Sequence, residues 1–323
     1  MNTCSPVTGR RALGVLLATI ATPALALGPV RPKLAIATVG MVGDVVRDIA
    51  GERLRTEVLI GEGVDPHLFR PTRSDISRLL AADIVFGNGH RLEGRMGEVL
   101  DRARTGNKPV ILIAESLPRE RLRAHPEYPD VADPHVWMAP DLWSLAAGVI
   151  PEGLARIVPD GRPGFDANLA TLRQRLARLD TYARDAVATI PAERRVLVTA
   201  HDAFGYFGAR TGMEVESIQG LSTEAEANLA RIEALVRLLV TRRIPAVFAE
   251  TSVPDRAVLA LIEGAAARGH QVRLGGNLFS DSMGRAGTYT GTYEGMIDHN
   301  VTTIVRALGG SAPAGGLNGR LAG

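Results

Sequence analysis

The chain has one cysteine, two lysines and no basic run longer than two residues, and each scarcity removes a class of function. Cys4 lies ahead of the first apolar run, so it is not placed to be a lipid-anchored first residue, and cleavage of the leader removes it. A mature chain then has no thiol, which excludes disulfide staples and cysteine metal ligation. Any metal must be held by imidazole and oxygen. Positive charge is almost all arginine and nearly balanced, 37 Lys+Arg against 35 Asp+Glu, which argues against a nucleic-acid footprint or an anionic-lipid patch. Aromatics make up only 4%, little material for a pocket that stacks on an organic ligand. No stretch approaches the roughly 20 apolar residues of a membrane span.

Residues 1–26 read as a secretory signal peptide: Arg10 and Arg11, an apolar run over 12–20, Pro23, then the small-residue exit Ala24-Leu25-Ala26. Cleavage after Ala26 leaves a soluble, exported chain without a lipid anchor. The Arg10-Arg11 pair followed by Ala12-Leu13 also allows a twin-arginine export signal. At 323 residues the chain exceeds one ordinary domain, so two lobes with separate cores are expected.

Short apolar runs alternate with helical patterns in both halves, the signature of a parallel α/β sheet. Strands are predicted over 34–39, 56–60, 84–86 and 110–114, with helices over 42–50, 74–82 and 93–104; a second set of strands falls at 196–200, 215–218, 246–249 and 272–274. A helix is predicted to open at Thr223 with a capping box to Glu226. Between the halves Leu169, Leu172, Leu176, Leu179, Ala183, Val187 and Ile190 recur every three or four residues, which makes one long amphipathic helix over 164–191. The fold class is therefore α/β: an N-terminal lobe over 32–160 and a C-terminal lobe over 195–308, each a mostly parallel sheet flanked by helices, bridged by that helix. Residues 309–323, rich in glycine and alanine, have nothing to bury and are expected to be a disordered tail.

Asp-Pro-His occurs twice, at Asp65-Pro66-His67 and Asp133-Pro134-His135, in a chain with seven histidines. Proline fixes φ and bars regular pairing, so each imidazole sits on a stiff loop beside a carboxylate able to orient it. His67, His135, His201 and Asp281 all fall beyond carboxyl ends of predicted strands, where open α/β sheets place ligands, so two facing lobes could bring them together in a crevice. Taken singly each has an ordinary reading: a solvated loop histidine, a capping histidine, a turn-forming aspartate. Glu250 ends a predicted strand and either hydrogen-bonds a ligand imidazole or is a satisfied strand-end carboxylate. Trp137, Phe204, Tyr206 and Phe207 are expected to wall the crevice or fill the core, and His90, His125, His270 and His299 to lie on the surface or on helices.

Together with Thr199-Ala200-His201-Asp202-Ala203-Phe204-Gly205-Tyr206-Phe207, Phe248-Ala249-Glu250-Thr251-Ser252 and Leu278-Phe279-Ser280-Asp281, the two Asp-Pro-His motifs resemble the manganese/zinc-type solute-binding proteins of ABC importers over about residues 33–308. The resemblance implies two α/β lobes bridged by a long helix, with His67, His135, His201 and Asp281 as the four metal ligands. It implies a monomer that captures a divalent metal in the periplasm and delivers it to a permease and its ATPase at the inner membrane, with no reaction catalysed. Three imidazoles and a carboxylate suit Zn²⁺, and a chelating aspartate suits Mn²⁺. Zinc-specialised members of the family often carry a long histidine-rich loop before the second motif. The segment 116–132 is short and holds only His125, which favours Mn²⁺, with Zn²⁺ close behind and Fe²⁺ allowed. Some manganese-binding relatives have a glutamate where His201 stands, a departure that pulls the other way. The rival is a secreted zinc hydrolase using the same histidines, with Glu250 as its general base.

Overall fold

A four-residue strand without a polar face begins the first lobe: β1 (Leu34–Ala37) is buried at every position, the pattern of a parallel strand covered on both faces. A computed structural model describes residues 1–5, 31–125, 130–224 and 228–321; the expected leader beyond Ser5 lies outside the described residues. Contacts divide the chain into residues 1–31 and 32–323, and all the elements named belong to the second unit. Helix α1 (Gly40–Ala50) packs Val42, Val45, Val46 and Ile49 onto the sheet and returns the chain to β2 (Arg55–Val58). Helix α2 (Arg73–Ala81), opened by a Thr72–Asp75 capping box, leads to β3 (Ile84–Gly87), and α3 (Met96–Thr105) to β4 (Val110–Leu112). All four strands are parallel, in the order β2-β1-β3-β4.

Short helices α4 (Pro140–Ala146) and α5 (Ile150–Ala155) lead into α6 (Arg162–Ala188), 27 residues and about 40 Å long at about 1.5 Å per residue. It starts ahead of the predicted 164 because Pro163 sits in its first turn, where the missing N–H has no helical acceptor to lose. Leu169, Leu172, Leu176, Leu179, Ala183 and Val187 form its buried stripe, as the periodicity requires.

The second lobe runs β5 (Val196–Thr199), α7 (Gly205–Thr211), β6 (Glu214–Ser217), α8 (Leu229–Arg242), β7 (Ala246–Glu250), α9 (Arg256–Ala266), β8 (Arg273–Leu278) and α10 (Tyr293–Ala307). Here β5 pairs with β6 and β7 with β8, both parallel, and β5 lies against β7.

Instead of the expected separate cores, one hydrophobic cluster runs through both lobes, and two local predictions also differ from the structure. Helix α8 opens at Leu229, capped by Asn228, whose side chain accepts from the Ala230 N–H, and not at Thr223; Glu226 lies outside the described residues. The expected disordered tail is docked over 309–321: the Leu317 N–H reaches Asp298 Oδ1 at 2.8 Å, Asn318 donates to Tyr289 and Glu294, and Arg320 lies 4.5 Å above the Tyr289 ring. Hydrogen bonds and a cation–π contact hold a segment that has little apolar surface to offer.

Candidate metal centre

Both Asp-Pro-His copies fold into the same turn, in which the aspartate carboxylate accepts the N–H of the histidine two residues on. Asp65 Oδ1 takes the His67 N–H at 2.8 Å, and Asp133 Oδ1 takes the His135 N–H at 3.0 Å. Asp133 Oδ1 also holds His135 Nδ1 at 2.8 Å, which turns Nε2 inward. Asp65 instead sends Oδ2 across to the second lobe, where it accepts the Thr223 hydroxyl at 2.5 Å.

From the second lobe His201 follows β5 directly. Glu250, at the end of β7, accepts the His201 N–H at 2.8 Å and meets Nδ1 at 2.5 Å, so His201 is held in the way that Asp133 holds His135. Asp281 lies three residues past β8 between two buried serines. Hydrogen bonds between the lobes flank the cluster, among them the Gly63 N–H to Ser282 Oγ at 2.6 Å, the Trp137 indole N–H to the Ser280 carbonyl at 3.0 Å, the Tyr206 hydroxyl to the Asp133 carbonyl at 3.0 Å, and Thr223 to Asp65.

His67, His135, His201 and Asp281 are all buried, with one donor atom of each within 4.8 Å of the others. His67 Nε2 stands 3.4 Å from His135 Nε2, and the Asp281 oxygens lie 3.0 Å from His201 Nε2, 3.3 Å from His135 Nε2 and 3.5 Å from His67 Nε2. A tetrahedral ion with bonds of about 2.0–2.1 Å has ligand atoms roughly 3.3–3.4 Å apart, so these spacings bracket the edges of one coordination shell. Both Asp281 oxygens and His201 Nε2 are buried without an aligned hydrogen bond, since the 3.0 Å approach lacks the geometry of one. Buried polar atoms left unpaired are costly, and here they point at a common centre that a cation would satisfy.

Burial acts against charge on all four groups. On His67 it prevails over Asp281, with His135 and His201 adding to it, and the imidazole falls to about 3. On His135 burial is outweighed by Asp133 and Asp281, which carry it to about 9. On His201 burial yields to Glu250 and Asp281, so the ring is pushed well above its usual value, while His201 and His135 overcome burial at Asp281 and hold that carboxyl well below the usual range.

The structure thus brings together the four residues singled out in the sequence and places Glu250 on the ring of one. The sequence reading set Asp133 beside His135 only as a carboxylate able to orient it, and Thr223 and Ser282 were missed as site residues; the Asp-X-His spacing, typical of a turn closed by its own carboxylate, was the available signal for Asp133. Trp137 walls the site, its ring centroid 5.3 Å from that of His135, and Phe204, Tyr206 and Phe207 are core residues. His125, expected on the surface or on a helix, is buried outside any helix and lines, with His67, a cleft of about 790 Å³. His270 and His299 sit against backbone carbonyls elsewhere.

A family model described as the periplasmic zinc-uptake complex component A, ZnuA, matches residues 36–307. The zinc-binding protein TroA of Treponema pallidum (strain Nichols) is 43% identical over 275 residues, covering 85% of this chain and 88% of that protein. The manganese-binding lipoprotein MntA of Bacillus subtilis (strain 168) is 40% identical over 272 residues, covering 84% and 88%. The solved structure of the periplasmic zinc-binding protein TroA from Treponema pallidum matches with a TM-score of 0.82 at 42% identity, over 86% of this chain and 99% of that one.

Proposed function

This chain belongs to the ZnuA family of periplasmic zinc-uptake components, and from that premise we propose that it captures Mn²⁺ or Zn²⁺ outside the inner membrane and hands it to an ABC permease and its ATPase. The observation that carries the reading is the convergence of three imidazole nitrogens and a carboxylate, all buried, from loops of both lobes. His67, His135, His201 and Asp281 are assigned as ligands, and Glu250 and Asp133 as the carboxylates that fix the His201 and His135 rings. The relatives named for zinc and for manganese support a divalent transition metal as cargo. With one Asp281 oxygen bound the shell has four donors, and with both it has five, which accommodates either ion.

Lobes over 32–160 and 195–308 with a bridge over 164–191 are the working units of this assignment. The mature chain acts as a monomer and is free in the periplasm after cleavage behind Ala26, although MntA is named a lipoprotein. No described helix is long and apolar enough to cross a membrane. A hydrolase reading lacks its base, because both Glu250 oxygens are taken up by His201.

Elemental analysis of the protein purified from its own periplasm, with Mn²⁺/Zn²⁺ competition, is the test. One equivalent of metal that is lost in His67→Ala and Asp281→Ala is expected. A wild-type protein that takes up no divalent metal, or variants of undiminished affinity, would overturn the assignment.

A further inference from the structure

The segment from Asn88 to Gly94, which follows β3 and belongs to neither Asp-Pro-His turn, makes close contact with both of them. Its backbone is unusual: Gly89, His90, Arg91 and Gly94 all have positive φ, at 93°, 52°, 65° and 46°, and His90 and Arg91 are two of only four non-glycine residues in that region among the described residues. Such conformations cost energy and persist only where the surroundings over-determine them. The over-determining group is Glu93, 2% exposed. Its Oε1 accepts the Asn88 N–H at 2.6 Å and the Thr38 hydroxyl at 2.8 Å, and its Oε2 accepts the Gly89 N–H at 3.2 Å, tying the loop to itself and to the end of β1.

Held in this shape, the loop presents two surfaces. The Asn88 amide donates to the Pro134 carbonyl at 3.0 Å, inside the turn that carries His135. The bare Cα of Gly94 lies against the turn that carries His67, so closely that a Cβ there would stand 2.2 Å from the His67 carbonyl oxygen and 3.3 Å from that of Pro66. A side chain at 94 is therefore excluded twice, by contact and by φ.

We propose that Asn88, Glu93 and Gly94 are positioning residues that set the spacing between His67 and His135, and with it the geometry offered to the metal. The two ligands lie 68 residues apart in sequence and belong to different turns, and their 3.4 Å separation is the distance such a brace has to hold. Misplacing a ligand by a fraction of an ångström leaves the fold intact and degrades the site, because coordination tolerates less error than packing does.

The proposal rests on the metal-binding reading, and Co²⁺ separates the two. The mature protein is titrated with Co²⁺ alone, recording its d–d absorption and its affinity, for wild type, Asn88→Asp, Gly94→Ala, Glu93→Gln and the control Gly153→Ala. The control places a Cβ 2.3 Å from Ile111 Cδ1 and 3.2 Å from the Phe86 ring, in the core of the same lobe, with neither turn among its nearest contacts. Asn88→Asp, which keeps the side-chain shape but cannot donate to Pro134, and Gly94→Ala are each expected to weaken Co²⁺ binding at least tenfold and to shift the absorption bands. Glu93→Gln keeps one acceptor oxygen for Thr38 and Asn88 but sets an amide NH₂ against the Gly89 N–H, donor against donor, so it should weaken Co²⁺ binding in the same direction and by less than Gly94→Ala. Gly153→Ala should lower the melting temperature while leaving bands and affinity as they were. Should Gly94→Ala not fold, Asn88→Asp decides. Wild-type bands with affinity within twofold in Asn88→Asp, or a band shift in the control equal to that in the loop variants, would overturn the brace. A wild type that binds no Co²⁺, Mn²⁺ or Zn²⁺ would instead overturn the metal reading.

Discussion

The two Asp-Pro-His turns share a tripeptide, a fold and a backbone hydrogen bond, yet they serve their histidines differently. Asp133 spends one oxygen on both the backbone and the ring of His135, a ring with no exposure at all. Asp65 holds only the backbone of His67 and spends its other oxygen on Thr223 of the opposite lobe, leaving a side chain that is 5% exposed in the lining of the cleft. One carboxylate fixes a ligand ring within its lobe, and the other ties a ligand loop to the facing lobe, a tie the Asp133 copy makes instead through its backbone carbonyl, which accepts the Tyr206 hydroxyl at 3.0 Å. Identical sequence therefore marks where a ligand is, while the task of its carboxylate is set by what the fold places opposite.

Proton linkage separates the copies most sharply. In the metal-free protein His135, at about 9, and His201, pushed well above its usual value, carry protons at neutral pH that a metal must displace, whereas His67, at about 3, is already neutral. Metal affinity should therefore rise about a hundredfold per pH unit near pH 7, a decade for each of two protons released; calorimetry in buffers of differing ionisation enthalpy measures the number. Asp133→Asn should bring that number towards one, and Asp65→Asn should leave it unchanged. The sign for stability is opposite: because His135 is raised above 6.5, its contribution to the metal-free fold is complete below about pH 6.5 and lost as pH climbs through about 9. Thermal melts of the metal-free form across that range test this.

Next in size, Asp133→Ala, which frees the ring, should weaken metal binding about 10–100-fold. Asp65→Ala should cost less than tenfold, seen chiefly as faster metal dissociation in stopped-flow chelator competition. The smallest effect belongs to Thr223→Val, which removes only the hydrogen bond across the lobes, about 0.5–1.5 kcal/mol in chemical denaturation of the metal-bound protein. Equal losses in Asp133→Ala and Asp65→Ala would erase the distinction.

Much of this was legible beforehand, for identifiable reasons. Strand-length apolar runs and the leucine stripe of α6 are local patterns, and they place β1 to β8 and the bridging helix within a few residues. His67 and His135 stand out because a proline-stiffened tripeptide repeats. His201 and Asp281 were reached through their places after strands and through family resemblance, because neither has a distinctive neighbourhood of its own. The Asn88–Gly94 brace was hidden, since its contacts are carbonyls of Pro134 and His67, remote in sequence. The Thr223–Glu226 spacing mimics a capping box, but the helix waits for Asn228 while Thr223 serves Asp65. The tail escaped notice because the groups that dock it, Asp298 and Tyr289, are polar and leave no trace in hydrophobic periodicity.

Helix α6 has a consequence beyond spacing the lobes. Its buried stripe joins a single hydrophobic cluster that runs from Leu34 in β1 to Leu308 after α10, so neither lobe owns a core that could melt alone. Unfolding is then expected as one cooperative event, in which the free energy of an ion held at the crevice is shared by amides throughout the molecule. Hydrogen exchange in the middle of α6, out of reach of any ligand, should slow when the metal binds.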